Sequence, residues 1–247
     1  MAGRKLLVRH ALSGANLEGV IQGQTNTPLK PGYKTSVDKF ADMVISQEHL
    51  APQPADVYVV CSPLDRAYYT AERIHRGLTD RRVQAELRIL HGLTERGAGI
   101  LEGKTYADAI PDIQDAIKSS GKSVPTIEPN ARGIYPYLYL LNNIPGGEKH
   151  EVLRERLSYA LGQIEQLRGI VIIVGHGISG NNHLKNLMTD QDILGNPQKP
   201  YQHLDNLAVV RLDKGANRRY IAAEPYGPPN GNGAVSGGSL IEATSNR

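Results

Sequence analysis

Leu6-Leu7-Val8-Arg9-His10-Ala11 sets an arginine and a histidine side by side where an apolar, β-prone run ends. A loop at the end of a buried strand is where active sites collect. The arrangement returns as Ile170-Val171-Ile172-Ile173-Val174-Gly175-His176-Gly177, a second apolar run ending in a histidine flanked by glycines. Two strand-end histidines can face one another across a parallel sheet, beside the permanent charge of Arg9. Such a pair is suited to handling an anion.

Outward from these runs, strands and helices alternate. A strand over 5–8 is followed by a loop over 22–32 and a helix over 33–49, closed off by Pro52 and Pro54. The run 57–61 reads as a short buried strand, and Ser62-Pro63 as an N-cap and first-turn proline opening a helix through Arg76. A strand over 83–89 and a helix over 106–118 come next, with Pro111 its weak point. Between 119 and 147 the pattern degrades into glycine, proline and polar residues around Ile134-Tyr135-Pro136-Tyr137-Leu138-Tyr139-Leu140-Leu141, predicting an insertion over one end of the sheet. A long amphipathic helix over 150–168 leads into the strand at 170–174. A helix over 179–188 and a hairpin of 207–212 with 219–222 complete the body. The alternation predicts an α/β fold, a three-layer α/β/α sandwich with a mostly parallel central sheet and antiparallel strands near the C-terminal end. It reads as one domain over 1–225. Residues 226–247 lack an apolar period and are expected to form a flexible tail.

The chain has 247 residues, 40% of them hydrophobic, which excludes wholesale disorder. No apolar run approaches the roughly 20 residues that span a bilayer, so a membrane role is not expected. The formal charge of +3 is small and scattered, and gives no footprint for nucleic acid. Cys61 is the only cysteine, so no internal disulfide is possible and a cytoplasmic location is expected.

The neighbourhood of Arg9-His10 carries more. Ser13, Asn16, Gln22 and Gly23 follow it, then Asn26-Thr27-Pro28-Leu29-Lys30-Pro31-Gly32. Downstream come Ser62-Pro63-Leu64-Asp65-Arg66-Ala67-Tyr68-Tyr69-Thr70-Ala71, Leu93-Thr94-Glu95, Leu101-Glu102-Gly103-Lys104-Thr105, Pro145-Gly146-Gly147-Glu148 and Arg156. Together with Gly175-His176-Gly177 these resemble, in order, the signatures of the histidine phosphatase superfamily, which includes the cofactor-dependent phosphoglycerate mutases. The resemblance spans about residues 6–212. The stretch from Ser62 matches the family pattern Ser-x-Leu-x-Arg-Ala-x-x-Thr-Ala at every specified position.

The residue types make the same chemical case. Phosphoryl transfer needs an unprotonated nucleophile in line with the leaving oxygen and fixed positive charge on the equatorial oxygens. His10 would be that nucleophile, dividing one hard displacement into two through a phosphohistidine. Arg9 and Arg66 offer planar guanidinium forks, and His176, if protonated, a further donor. Asn16, Gln22, Gly23 and Gly177 would complete the phosphate cradle, several of them through backbone amides. Glu95 is the candidate to protonate the leaving alkoxide and then activate water, which requires surroundings that favour its protonated form. Glu102 is its rival, but its Glu-Gly-Lys-Thr setting suggests a loop role. No His-x-x-x-His or carboxylate cluster has metal-ligand spacing, and no cofactor is implied.

Other residues receive blander readings. Arg73, Arg76, Arg81 and Arg82 read as a solvated face, Lys104 and Arg132 as surface charges, and His91, His150, His183 and His203 as ordinary histidines. Tyr135, Tyr137 and Tyr139 are the best positions for specificity. The resemblance implies a metal-independent phosphomonoester hydrolase acting on a small phosphorylated metabolite. Two alternatives stand beside it. A mutase would carry Arg-His-Tyr-Gly-Gly after Glu95 and an arginine pair in the insertion, where this chain has Arg96-Gly97-Ala98-Gly99 and Arg132 alone. A weak or inactive phosphate-ligand binder would fit the departures at Ala11, Leu12 and Val20, the first because its methyl forbids easy positive φ and crowds the phosphate.

Overall fold

The computed structural model describes residues 4–50, 56–179, 184–189, 205–214 and 220–222, and in it the two apolar runs lie side by side at the centre of a six-stranded sheet. In chain order the strands are β1 (Lys5–Arg9), β2 (Val57–Cys61), β3 (Ala85–Ile89), β4 (Ile170–Gly175), β5 (Val209–Lys214) and β6 (Tyr220–Ala222). Across the sheet the order is β3-β2-β4-β1-β5-β6. β1, β2, β3 and β4 pair in parallel, whereas β5 runs antiparallel to β1 and β6 antiparallel to β5. The register sets Arg9 opposite Gly175 and Cys61 opposite Val174, so His10, Ser62 and His176 all leave the same edge of three adjacent strands. The C-terminal edge of such a sheet, where crossovers leave in different directions, is where α/β proteins open a cleft.

The strands are apolar throughout because helices cover both faces. Leu6, Val8, Val59, Cys61, Ile172 and Val174 belong to one cluster, packed with Val37, Phe40 and Val44 of α2 (Tyr33–Gln47) and Ala67, Ile74 and Leu78 of α3 (Asp65–Asp80). Their neighbours Leu7, Val60, Val171, Ile173 and Val210 form the opposite cluster with Leu153, Leu157, Ala160 and Ile164 of α6 (His150–Glu165), as well as Met188 of α7 (Lys185–Thr189). Each fully buried aliphatic side chain of these layers contributes about 1.5–3 kcal/mol relative to exposure. The predicted sandwich is the fold observed.

A third cluster sits over the strand ends. Ala109, Ile113 and Ile117 of α4 (Tyr106–Ser119) pack on Ile134 of α5 (Ala131–Ile134) and on Tyr135, Leu138 and Leu141 of a 3-10 helix, Tyr135–Asn143. Ile21, Ala98 and Ile178 join it from the cleft side. Pro111 lies inside α4 without ending it, its lost backbone bond being outweighed by this buried face.

Some boundaries differ from the sequence expectation. The helix read as opening at Ser62-Pro63 and closing at Arg76 begins at Asp65, with Leu64 as its extended cap residue, and continues to Asp80. Ser62 is drawn toward His176 instead, as described below. α6 ends at Glu165, short of Arg168, and Leu207 precedes β5 in a left-handed conformation (φ 62°), with its N–H on the Arg9 carbonyl. Pro52, Pro54, residues 180–183 of the helix expected over 179–188, most of the hairpin turn and the expected tail over 226–247 lie outside the described residues.

Candidate active site

The short helix α1 (Gly14–Leu17) follows β1 and turns the chain back over the sheet edge. Ser13 caps it reciprocally with Asn16, its hydroxyl accepting the Asn16 N–H at 3.2 Å while its own N–H donates to Asn16 Oδ1, also at 3.2 Å. Asn206, in the turn before β5, donates its amide to the His10 carbonyl at 2.8 Å and to Asn16 Oδ1 at 3.2 Å. With its oxygen so engaged, Asn16 has its amide N–H groups to offer the cleft. Gln22 is arranged alike: its Oε1 lies 3.1 Å from Ser13 Oγ and also accepts from Thr27 Oγ1.

His10 is 2% exposed and lies at the cleft floor. Its Nδ1 is 2.7 Å from the Ala11 carbonyl. A carbonyl can only accept, so the ring proton sits on Nδ1 and Nε2 carries the free lone pair. Burial, then the charges of Arg66 and Arg9, hold the imidazole well below its usual pKa of 6.5, so the ring is neutral at pH 7. Ala11 does not crowd this arrangement. Its φ is not positive, its methyl packs in the core beneath the cleft, and its N–H donates to Thr70 Oγ1 at 3.0 Å. The strain expected of an alanine here is therefore absent. Leu12 does not line the cleft, whereas Val20 does.

His176 packs edge-on against His10, the ring centroids 5.4 Å apart. Its Nε2 lies 2.8 Å from Ser62 Oγ, which already accepts the Leu64 N–H at 3.2 Å. That oxygen can donate to Nε2 or accept from it, so the contact fixes the orientation of the ring, and Nδ1 is a buried atom without a hydrogen-bond partner. Burial first, then Arg66, His10 and Arg9, drive His176 well below pKa 6.5. The protonated ring envisaged from sequence is replaced by a neutral one that still offers one N–H.

Arg66, the second residue of α3, is 1% exposed and donates to the carbonyls of Thr25 and Gly23, each at 2.7 Å. Burial brings it down to about 10, which leaves it fully charged at neutral pH, and its Nε–H is buried without a partner. Arg9 leaves β1 with its guanidinium carbon 5.9 Å from the centre of the Tyr135 ring. Gly23 is held by Glu102: a Cβ there would come within 2.1 Å of the Glu102 carboxylate, which accepts the N–H groups of Gln24 (3.0 Å) and Ala98 (2.9 Å). Glu102 is thereby a loop brace, as its sequence setting suggested.

Glu95 lines the cleft with its carboxylate fixed by three backbone amides: Arg96 and Ser179 to Oε1 at 2.8 Å each, and Ile178 to Oε2 at 3.1 Å. Its loop is gripped from behind by Arg156, which donates to the carbonyls of Gly92, Thr94 and Glu95 and pairs in a bidentate manner with Glu148 at 2.7 and 2.8 Å. Gly177 makes room for Tyr135, since a Cβ would lie 2.5 Å from the Tyr135 hydroxyl oxygen. Of the three tyrosines singled out for specificity, Tyr135 reaches the cleft. Tyr137 and Tyr139 pack against the third cluster, with Tyr139 accepting from Lys122 at 2.9 Å.

The structure brings His10, Arg9, Arg66, Glu95, Asn16, Gln22, Gly23 and Gly177 around one cleft of about 500 Å3, measured to its open mouth, whereas His176 is buried against His10 and does not itself line the cleft. Sequence reasoning assigned no site role to Ser62 or Asn206. Ser62 stood in a recognised motif and read there as a cap, and Asn206 had only its place in a turn. The other charges follow the bland readings: Arg73 pairs with Asp38, Arg76 with Glu72 and Arg81 with Asp42. His150 takes up the Tyr139 carbonyl at 3.1 Å and His91 is exposed. His183, His203 and the Arg132 side chain lie outside the described residues. Among the described residues, no three His, Cys, Asp or Glu side chains converge to hold a metal ion, and no helix is long and apolar enough to cross a membrane.

Comparison with known proteins bears on the family and the fold. The family model of the histidine phosphatase superfamily (branch 1) matches residues 6–223. Among solved structures, a mycobacterial glucosyl-3-phosphoglycerate phosphatase superposes with a TM-score of 0.63 at 19% identity, over 89% of this chain and 96% of its own. The alpha-ribazole phosphatase of Shigella flexneri gives 0.61 at 20%, over 89% and 94%. A phosphoglycerate mutase of Bacillus anthracis gives 0.61 at 17%, over 90% and 92%. At these identities the likeness is one of fold. A search of curated proteins found no match to the sequence.

Proposed function

Since the chain belongs to branch 1 of the histidine phosphatase superfamily, we propose that it hydrolyses phosphomonoesters of small metabolites, without a metal ion, through a phosphohistidine at His10. The observation that carries this reading is the 2.7 Å contact of His10 Nδ1 with the Ala11 carbonyl, which leaves Nε2 as a lone pair in a cleft lined by Arg9 and Arg66. In the first displacement Nε2 bonds to phosphorus as the ester P–O bond breaks, and the leaving oxygen takes a proton from the Glu95 carboxyl group. In the second, water bonds to phosphorus, its proton passes to the Glu95 carboxylate and the P–N bond breaks, releasing inorganic phosphate. Arg9, the Arg66 Nε–H, the His176 Nδ1–H and the Asn16 amide hold the phosphoryl oxygens, where charge gathers in the transition state.

Hydrolysis is favoured over mutase chemistry by Arg96. A mutase must grip a second acidic group, yet Arg96 is 0% exposed and donates to the carbonyls of Leu138 and Glu148 and to Asn142 Oδ1. It is favoured over mere binding by the neutral, oriented nucleophile. A lone buried thiol at Cys61, pushed up to about 12 by burial, suits a protein of the reducing cytoplasm. The test is phosphate release from p-nitrophenyl phosphate in excess chelator. Release is expected from the native protein and loss of at least about a thousand-fold in His10→Ala; undiminished turnover in that variant refutes the reading. A binder would retain phosphate ligands in calorimetry and release no phosphate.

A further inference from the structure

We propose that the substrate carries an apolar or aromatic body next to its phosphate and no second anionic group; this rests on the hydrolase reading above. The cleft has two chemistries. Its floor is polar and charged, supplied by Arg9, His10, Asn16, Gln22, Arg66 and Glu95. Its walls are Val20, Ile21, Tyr106, Tyr135, Leu138 and Ile178. Three of these, Ile21, Leu138 and Ile178, are at most 7% exposed, held in place by the third hydrophobic cluster, so the wall is a built surface and not a fringe of mobile side chains.

Among the described residues, the cations near that wall other than Arg9, which the phosphate takes, are engaged elsewhere. Arg96 gives its donors to the Leu138 and Glu148 carbonyls and to Asn142. Lys104 is held by Asp112 at 2.6 Å, and Lys122 by the Tyr139 hydroxyl. A carboxylate or second phosphate on the substrate would therefore be stripped of water against aliphatic and aromatic side chains with none of these cations to receive it. An apolar body meets the opposite balance, because its own burial against the wall is favourable. Tyr106 and Tyr135 add ring faces to that surface.

The test has a turnover arm and a binding arm. Turnover compares phenyl phosphate with 3-phosphoglycerate; binding compares benzylphosphonate with 3-phosphonopropionate, both non-hydrolysable, in calorimetry. At least about a ten-fold preference for the aromatic member is expected in each arm. Val20→Arg, which puts a cation on the half-buried wall, is expected to shrink the preference by at least about five-fold, while Val20→Gln leaves most of it. Equal or reversed preference, binding of neither phosphonate, or an unchanged preference in Val20→Arg overturns the proposal. Aromatic preference in binding with no phosphate release keeps it and removes the hydrolase reading, so the two failures are distinguishable.

Discussion

Ser62 acts on the chemistry through another residue. Its hydroxyl accepts from the Leu64 N–H and bonds His176 Nε2, and with its one proton given to Nε2 the N–H of that ring sits on Nδ1, as the proposed phosphate contact requires. A positioning residue of this kind, once removed, typically costs about 10–100-fold. Ser62→Ala is expected to lower kcat by about ten-fold with KM little changed, and two-bond nitrogen-proton NMR is expected to show His176 as a mixture of tautomers. An unaltered single tautomer would contradict the assignment, whatever the rate. The sequence motif displayed Ser62 and its neighbours in full, yet a serine before a proline and an aspartate reads equally well as a helix cap. What distinguishes the readings is the pairing of β2 with β4, which sets Cys61 opposite Val174 and so brings Ser62 to His176 across 114 positions of chain. Asn206 is hidden for a similar reason: nothing local to a turn residue reveals that it binds the carbonyl of His10, 196 positions away.

At the scale of elements, the insertion is fastened to the Glu95 loop by backbone contact. Gly99, at φ 59°, lies where a Cβ would meet the Pro145 carbonyl oxygen at 2.2 Å and the Gly147 nitrogen at 2.5 Å. The Ile100 N–H donates to that same Pro145 carbonyl at 3.0 Å. Gly99→Ala must strain its own backbone or push the Pro145-Gly147 turn away, and neither contact is the yielding tip of a side chain. A loss of about 1–3 kcal/mol of stability is expected, read by urea denaturation, with a raised KM as Tyr135 and Leu138 lose their seating. Wild-type stability in this variant would show that the turn is loosely held. The elements themselves were largely legible, since continuous apolar runs mark strands buried on both faces and the spacing of Leu153, Leu157 and Ile164 marks a helix. The role of the insertion was less so. Its apolar core residues are interleaved with glycine and proline, and Arg96, which stood in the sequence only as the residue after Glu95, has its guanidinium turned into the carbonyls of Leu138 and Glu148.

The whole molecule keeps two uncharged imidazoles, His10 and His176, among buried arginines. Both are held well below the ordinary value of 6.5, first by burial and then by positive charge. The sign follows from proton uptake. Above pH 6.5 neither the folded nor the unfolded chain protonates these rings, and their contribution is intact. Below it the unfolded chain takes up protons that the folded chain refuses, so stability falls as pH falls, by up to about 1.4 kcal/mol per pH unit for each ring. Urea midpoints taken from about pH 7.5 down to about pH 5 are expected to decline, and less steeply in His176→Gln; equal slopes would contradict the neutral pair. The same depression keeps His10 nucleophilic on the acid side of neutrality, which leads to the central measurement. Intact-protein mass spectrometry after mixing with p-nitrophenyl phosphate and quenching in base, where phosphohistidine survives, is predicted to show one phosphoryl group per chain, located to His10 by fragmentation and absent from His10→Ala. Phosphate release with no phosphoryl-enzyme at any quench time, or a phosphoryl group on another residue, would contradict the account.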